Sequence, residues 1–144
     1  MNFSNKDGGK IIFELIKTIQ DKKDFLSEVD GKIGDGDHGI NMNKGFTMTY
    51  CKVNGKDYDM TTAFSVLGDT LLEDIGGSMG PLYGAFFDGL SEASEDHDVI
   101  DKKTFQKMIH TALEAIQDIG NAKRGDKTLL DTLIPAVEAY DAAL

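Results

Sequence analysis

Three aspartates lie close together in a glycine-rich stretch of the first half of the chain. Asp35 and Asp37 are two residues apart, so an extended loop points both carboxylates the same way. Asp30 precedes a run of glycines that lets the chain fold back and bring a third carboxylate beside them. Three converging carboxylates repel one another unless a cation neutralises them. Oxygen ligands on a flexible loop suit a hard divalent ion, Mg²⁺ or Ca²⁺.

Common ligand-binding motifs do not account for this stretch. Residues 34–39 match the glycine spacing of a dinucleotide-binding turn, but no strand is predicted before them and their aspartates would repel a bare pyrophosphate. An EF-hand beginning at Asp35 would have Phe46 in place of the closing Glu, and one beginning at Asp30 would have Lys32 at a ligand position. No Walker A sequence is present. The alternative to a metal site is that these aspartates are solvated turn and cap residues.

Three glycine-rich breaks, at 34–41, 76–81 and 120–128, each lead into a predicted helix. Backbone N–H groups at a helix N-terminus, with the helix dipole behind them, attract anions. Ordinary helix capping is the alternative for any one break. Beside a metal site, the three breaks favour a bound Mg²⁺–nucleotide, in which metal ions bridge carboxylates and phosphate oxygens.

Helical periodicity runs through almost the whole chain. Apolar residues recur at spacings of three and four, as at Ile12, Ile16 and Ile19. No segment shows sustained alternation with β-branched residues, so no strand is predicted. We therefore expect one all-α domain of about six helices. The first two predicted helices span about 8–27 and 40–53. The third begins at Thr61 or Thr62, and the fourth has Pro81 in its first turn. The fifth begins at Asp101 or Thr104, and the sixth follows Gly125-Asp126.

Composition limits the class of protein and its partners. The 144 residues fit one domain, and the net charge of −10 is divided as −2 over residues 1–72 and −8 over 73–144. Long-range repulsion therefore argues against nucleic acid or an anionic membrane as a partner. The lone Cys51 is expected to be a buried free thiol. No apolar run is long enough for a membrane helix and the N-terminus lacks a secretory segment, so a cytoplasmic protein is expected.

Three segments resemble, in order and spacing, the nucleotide-binding L subunit of dihydroxyacetone kinase. They are Asp30–Gly45, Gly76–Gly84 and Gly125–Asp131, and the resemblance extends over nearly the whole chain. It implies a barrel of antiparallel amphipathic helices, with loops at one end that hold ADP or ATP through two Mg²⁺ ions. Residues 1–144 would then form a single nucleotide-binding domain.

The resemblance also implies a role for individual residues. Asp30, Asp35 and Asp37 correspond to metal ligands. No catalytic residue is assigned on this chain, because the groups that activate the acceptor are expected on a partner. The residues implied to contact the nucleotide are His38, Gly39, Ile40 and Asn41 on the phosphate side, Ser78 and Met79 at a turn against the nucleotide, and Gly120 and Leu129 nearer the adenine or ribose.

Partner subunits follow from the same resemblance. In such systems dihydroxyacetone is bound covalently through a histidine of a separate subunit, and the L subunit supplies the phosphoryl group. In the phosphotransferase-system branch a multi-phosphoryl phosphocarrier subunit rephosphorylates the bound nucleotide. In the ATP-dependent branch a similar domain follows the substrate domain in one chain. Because no substrate domain stands before this sequence, the separate-subunit branch is expected.

Two departures from the family are visible. Met79 stands where the family commonly has Ser, so nucleotide binding is expected to depend more on backbone N–H groups. Family members continue past residue 144 with two further helices, so we expect a C-terminally truncated domain with exposed apolar faces that favour self-association, such as a homodimer. Two alternatives stay open: a non-catalytic nucleotide-binding or regulatory module, and a kinase domain for another small hydroxylated or acyl substrate.

Overall fold

Helices that follow one another in sequence pack side by side in the computed structural model, which describes residues 2–144. Its elements are β1 (Phe3–Ser4), α1 (Asn5–Gly8), α2 (Ile11–Asp30), α3 (His38–Val53), α4 (Met60–Asp74), α5 (Met79–Ser94), β2 (Val99–Ile100), α6 (Lys102–Ile119) and α7 (Leu130–Ala142). The main packed pairs are α2 with α3, α3 with α4, α4 with α5, α5 with α6, and α6 with α7. Short connections between packed neighbours make them antiparallel. The all-α prediction is confirmed.

The apolar core lies between α2 and α6, with α4 at its centre. Leu67 and Leu71 of α4 are completely buried, and Phe46 of α3 packs its ring 6.0 Å from the ring of Phe87 on α5. Burying one such side chain contributes about 1.5–3 kcal/mol to folding. The core therefore fixes α3, α4 and α5 relative to one another, and these helices carry two of the three glycine-rich breaks.

Aspartate side chains cap the N-termini of two of the helices. Asp101 accepts the N–H of Thr104 at 2.8 Å, which confirms the predicted start of α6. The predicted start of α4 at Thr61 or Thr62 is wrong. Asp59 is the N-cap, since its carboxylate accepts the N–H of Thr62 at 2.7 Å. The hydroxyl of Thr61 is hydrogen-bonded to α5 instead.

A short antiparallel pair joins the beginning of the chain to the connection between α5 and α6. Phe3 lies opposite Ile100 and Ser4 lies opposite Val99. The prediction of no strands is therefore wrong at these two places. Strands of two residues are too short to produce a detectable alternation of apolar and polar positions, so the sequence pattern could not indicate them.

Asn5 is buried directly after β1 and connects three parts of the fold. Its side-chain amide donates to Thr61 Oγ1 at 2.8 Å and to the carbonyl oxygen of His97 at 2.9 Å. Its backbone N–H donates to the carbonyl oxygen of Asp98 at 2.9 Å. The start of the chain is thus held by hydrogen bonds to α4 and to the α5–α6 connection.

Two further expectations are corrected by the structure. Cys51 is exposed rather than buried, because it faces solvent between the buried positions Thr49 and Val53 of α3. The first long helix begins at Ile11 and continues to Asp30, and a separate turn of helix, α1, precedes it. Among residues 2–144, no helix has the length and apolar character needed to cross a membrane.

Candidate functional site

The acidic loop, residues 30–37, connects the end of α2 to the start of α3. The turn continues α2 for a few residues, since the N–H of Gly34 donates to the carbonyl oxygen of Asp30 at 2.6 Å. Gly36 has a φ of +77°, which L side chains rarely adopt, and it forms a bend between Asp35 and Asp37. As a result, carboxylate oxygens of Asp30, Asp35 and Asp37 lie within 4.8 Å of one another.

Few hydrogen bonds within the protein occupy these carboxylates. The N–H of Asp37 is 3.4 Å from Asp35 Oδ1, and the N–H of His38 is 3.4 Å from Asp30 Oδ2, both long for a hydrogen bond to a charged group. One short bond is present, from Asn41 Nδ2 to Asp37 Oδ2 at 2.7 Å. Most acceptor positions of the three side chains thus remain available.

The donor set fits a hard divalent cation. All three side chains offer oxygen, none offers nitrogen or sulfur, and Mg²⁺ and Ca²⁺ prefer oxygen ligands. Their geometry also depends on Gly34, where a Cβ would lie 2.5 Å from Asp30 Oδ1. A side chain at position 34 would therefore force the Asp30 carboxylate to move from its present position.

Close packing against α2 fixes the phosphate-side loop, the name used here for residues 38–41, which form the first turn of α3. Gly39 is buried against α2, and a Cβ there would overlap the carbonyl oxygen of Lys23 and lie 2.7 Å from Ser27 Oγ. That Ser27 hydroxyl is buried and has no hydrogen-bond partner among residues 2–144. Ile40 is exposed, whereas His38 and Asn41 are half-buried. The first backbone N–H groups of α3 therefore lie directly beside the three carboxylates.

The second break leads into α5 and approaches the same region. Gly77 has a φ of +74°, Ser78 is exposed without a capping hydrogen bond, and Met79 is half-buried as the first residue of α5. One turn later, the ring of Tyr83 lies 6.0 Å from the ring of His38, with an angle of 59° between the planes. The break at 76–81 and the phosphate-side loop thus lie at the same end of the helices.

An apolar pocket, here called the α5–α7 cleft, lies next to Tyr83. Its volume is about 140 Å³ and its exposed surface is apolar. Burial raises the pKa of the Tyr83 phenol above its ordinary value. The residues that line the cleft are Tyr83, Phe86, Leu129, Thr132, Leu133 and Ala136.

The α6–α7 connection, residues 120–129, contains the remaining two predicted contacts. Gly120 ends α6, and a Cβ there would meet only the backbone nitrogen of Ala122, at 3.9 Å, so this stretch of backbone is accessible to a ligand. Leu129 precedes the first residue of α7 and belongs to the α5–α7 cleft. The structure therefore joins Leu129 to the α5 side of the site through Tyr83.

Carboxylates at the α6–α7 connection have partners within the protein. Asp126 of the connection accepts the N–H of Lys123 at 2.7 Å, and Asp131 lies in the first turn of α7. Asp131 accepts N–H groups from Gly125 at 2.6 Å and from Lys127 at 2.7 Å, and these bonds hold the pKa of its carboxyl below the ordinary range. Arg124 forms an exposed ion pair with Glu138, at 2.8 Å. These side chains stabilise the connection and are already engaged with groups of the protein.

Tyr83 was not singled out from the sequence, although its position four residues after Met79 places both on one face of α5. This spacing is the feature of the sequence that could have indicated Tyr83 as a neighbour of the predicted nucleotide contact Met79. The contact with His38 joins two helices that are distant in sequence, and no local pattern encodes it.

Comparisons with known proteins agree with this architecture. Residues 32–144 match the family model described as the DAK2 domain. The chain is 39% identical over 122 residues to the "PEP-dependent dihydroxyacetone kinase 1, ADP-binding subunit DhaL" of Listeria innocua, which covers 84% of this chain and 61% of that protein. It is 39% identical over 114 residues to the "PTS-dependent dihydroxyacetone kinase, ADP-binding subunit DhaL" of Lactococcus lactis, covering 78% of this chain and 57% of that protein.

A solved structure has the same fold. The crystal structure of the dihydroxyacetone kinase from C. freundii in complex with AMP-PNP and Mg²⁺ superimposes with a TM-score of 0.77 at 24% identity. The match covers 99% of this chain and 26% of that one. The chain spans about three-fifths of the length of the two DhaL relatives.

Proposed function

The chain belongs to the DAK2 domain family, and we propose that it is the Mg²⁺–nucleotide-binding part of a dihydroxyacetone kinase. In this proposal, residues 1–144 act as a single nucleotide-binding domain that transfers a phosphoryl group from bound ATP to dihydroxyacetone held on a partner subunit. The observation that carries the proposal is the convergence of three carboxylates within 4.8 Å at the start of α3. The names of the DhaL relatives, as ADP-binding subunits, support the nucleotide.

Asp30, Asp35 and Asp37 would hold Mg²⁺, with two ions in the full site. When bound, the ions neutralise charge on the phosphates and on the group being transferred. The protein would contribute orientation through backbone N–H groups at the starts of α3 and α5, two helices that meet where Tyr83 contacts His38. His38 and Asn41 add side-chain donors on the phosphate side, and Asn41 also holds Asp37 in place.

The nucleoside would extend from the phosphates toward the α5–α7 cleft. The apolar surface of the cleft suits the face of an adenine ring, and Leu129 lines it. The accessible backbone at Gly120 would lie nearer the adenine or ribose. Met79 offers no hydroxyl, so the turn at Ser78 would contact the nucleotide through the Ser78 side chain and backbone N–H groups.

No general base is proposed on this chain. Phosphoryl transfer depends mainly on positioning and charge stabilisation, and the groups that activate the acceptor would belong to the subunit that binds dihydroxyacetone. A multi-phosphoryl phosphocarrier subunit would regenerate ATP from the bound ADP. We propose that the chain works with these subunits in the cytoplasm.

Calorimetric titration with ADP, with and without Mg²⁺, tests nucleotide binding directly. We expect binding that requires Mg²⁺ and is lost on chelation. Transfer is then tested by adding the substrate-binding and phosphocarrier subunits of a related kinase and following the formation of dihydroxyacetone phosphate. Binding without transfer would favour a non-catalytic module, and the absence of Mg²⁺-dependent binding would contradict the proposal.

A further inference from the structure

Tyr83 lies where the phosphate-side loop meets the α5–α7 cleft. Its ring contacts that of His38, with 6.0 Å between the centroids, and it also lines the cleft beside Leu129. The side chain is half-buried, so it is held between these two groups rather than free in solvent. One side chain therefore contacts both ends of the proposed nucleotide site.

The helix geometry places Tyr83 on a continuous stripe. The start of α5 contributes residues at spacings of four and three on one face, and these run from the second glycine-rich break into the cleft. The start of α7 faces them with a stripe at spacings of four and three. The two stripes are Met79, Tyr83 and Phe86 on α5, and Leu129, Leu133 and Ala136 on or before α7.

The ring rather than the hydroxyl of Tyr83 is the group that makes these contacts. The contact with His38 is between the two rings, whose planes are tilted by 59°. The cleft has a volume of about 140 Å³, and an apolar cavity of roughly 150 Å³ can hold one aromatic ring. A flat side chain is thus available to pack against a flat ligand.

We propose that Tyr83 is a positioning residue that couples the two halves of the nucleotide site. One side of its ring holds His38 at the phosphate end, and another side forms a wall for the base. This inference rests on the proposed function, because it requires a nucleotide in the site. It predicts that loss of the ring weakens binding at both ends of the ligand, whereas loss of Leu129 weakens binding of the base alone.

Titration with Mg²⁺–ADP and with Mg²⁺–pyrophosphate separates these two effects, since pyrophosphate has no base. Tyr83→Leu should weaken ADP binding about 50-fold and pyrophosphate binding about fivefold. Leu129→Ala should weaken ADP binding about tenfold and change pyrophosphate binding less than about twofold. Tyr83→Phe should bind both ligands within about twofold of the wild-type protein, because it keeps the ring.

Three outcomes would overturn the coupling. They are unchanged pyrophosphate binding in Tyr83→Leu, equal losses for both ligands in Leu129→Ala, and a Tyr83→Phe variant as weak as Tyr83→Leu. If Tyr83→Leu does not fold, as judged by thermal melting, Tyr83→Met keeps the buried volume without a ring and should show the same two losses. A wild-type protein that binds neither ligand would contradict the proposed function itself, and wild-type binding with an unaffected Tyr83→Leu would contradict only the role of Tyr83.

Discussion

The acidic loop and the α6–α7 connection differ in the groups that surround their carboxylates. Both contain glycine and lead into a long helix, but the acidic loop has three aspartates whereas Asp126 is the one aspartate of the connection. In the acidic loop, the N–H contacts to Asp30 and Asp35 are 3.4 Å long, and three carboxylates face one another. At the α6–α7 connection, Asp126 accepts the N–H of Lys123 at 2.7 Å, and Asp131 in the first turn of α7 accepts N–H groups of the connection at 2.6 and 2.7 Å.

The difference shows that aspartate in a glycine-rich turn does not by itself make a cation site. A carboxylate surrounded by backbone N–H groups has its charge stabilised within the protein and serves the local fold. A carboxylate that faces other carboxylates has its charge unbalanced until a cation arrives. The number of acceptor positions left free, rather than the residue type, therefore distinguishes the two loops.

The largest effect is expected from Asp37→Ala compared with Asp131→Ala. Removing Asp37 takes one of three ligands from the proposed metal site, so Mg²⁺-dependent ADP affinity should fall at least about 100-fold with little change in helicity. Asp131→Ala should loosen the turn at 123–128 and leave the Mg²⁺ requirement intact. Calorimetry measures the ADP affinity of each variant, and circular dichroism measures its helicity. Equal loss of ADP affinity in the two variants would remove the distinction between the loops.

A second contrast concerns why glycine is needed at the start of α3 and in the α6–α7 connection. Gly39 has no room for a Cβ beside the carbonyl oxygen of Lys23, so Gly39→Ala should destabilise the fold by about 2–3 kcal/mol. Gly125 has open space but a φ of +98°, so Gly125→Ala should cost only about 1 kcal/mol. Chemical denaturation gives both values. Gly125→Asn is the control, since Asn tolerates positive φ better than Ala, and a larger loss for Gly125→Ala than for Gly39→Ala would reverse the assignment.

Asp88 of α5 extends the comparison to a carboxylate that is partly buried close to another carboxylate. Burial against α4, with Asp69 nearby, raises the pKa of Asp88 from 3.8 to about 6. Its contribution to stability is therefore full below pH 3.8 and is lost as the pH rises through about 6. Because the group is partly exposed, Asp88→Asn should stabilise the protein at pH 7.5 by only about 1 kcal/mol.

Thermal melts at two pH values test this effect. The gain from Asp88→Asn should shrink at about pH 4, where the native carboxyl is already protonated. Asp69→Asn is a suitable comparison, because it removes the neighbouring charge and leaves Asp88 buried. A gain that is the same at both pH values would mean that ionisation of Asp88 does not limit stability.

The smallest expected effect is the loosening of the α6–α7 connection when Asp131 is protonated at low pH. Backbone N–H groups, that of Gly125 foremost, lower the pKa of Asp131. Its contribution is present above the ordinary Asp pKa of about 3.9 and is lost as the pH falls through the lowered native value. Amide exchange at Lys127 and Thr128 should therefore accelerate only in strong acid. Asp131→Asn should already show the faster exchange near neutral pH, and identical exchange in both proteins would show that the charge is unimportant.

The positions of the long helices could be predicted because they depend on the local periodicity of apolar residues. Apolar spacings of three and four indicate the long helices, and Asp101 is one of the two residues predicted to begin α6. The choice of cap for α4 depended on a distant contact, since the Thr61 hydroxyl bonds to Ser94 and leaves Asp59 as the cap. Candidate caps of similar propensity cannot be ranked without such tertiary contacts.

In the candidate site too, features set by local sequence could be predicted, whereas features set by the packing of distant helices could not. The convergence of Asp30, Asp35 and Asp37 could be predicted because glycines and short spacing restrict where the carboxylates can point. The contact between Tyr83 and His38 could not, because it depends on how α3 and α5 pack around the core. That these residues bind metal and nucleotide stays a prediction for the experiments above.

The hydrogen bonds of Asn5 bear on the order in which the chain folds. The bond from its side chain to the carbonyl oxygen of His97 closes a separation of 92 residues, whereas most helix contacts join neighbours in sequence. Closing so long a loop costs entropy that only an already compact chain can repay. We therefore expect the helices to pack together first, and the amino-terminal residues to form their hydrogen bonds with α4 and the α5–α6 connection last.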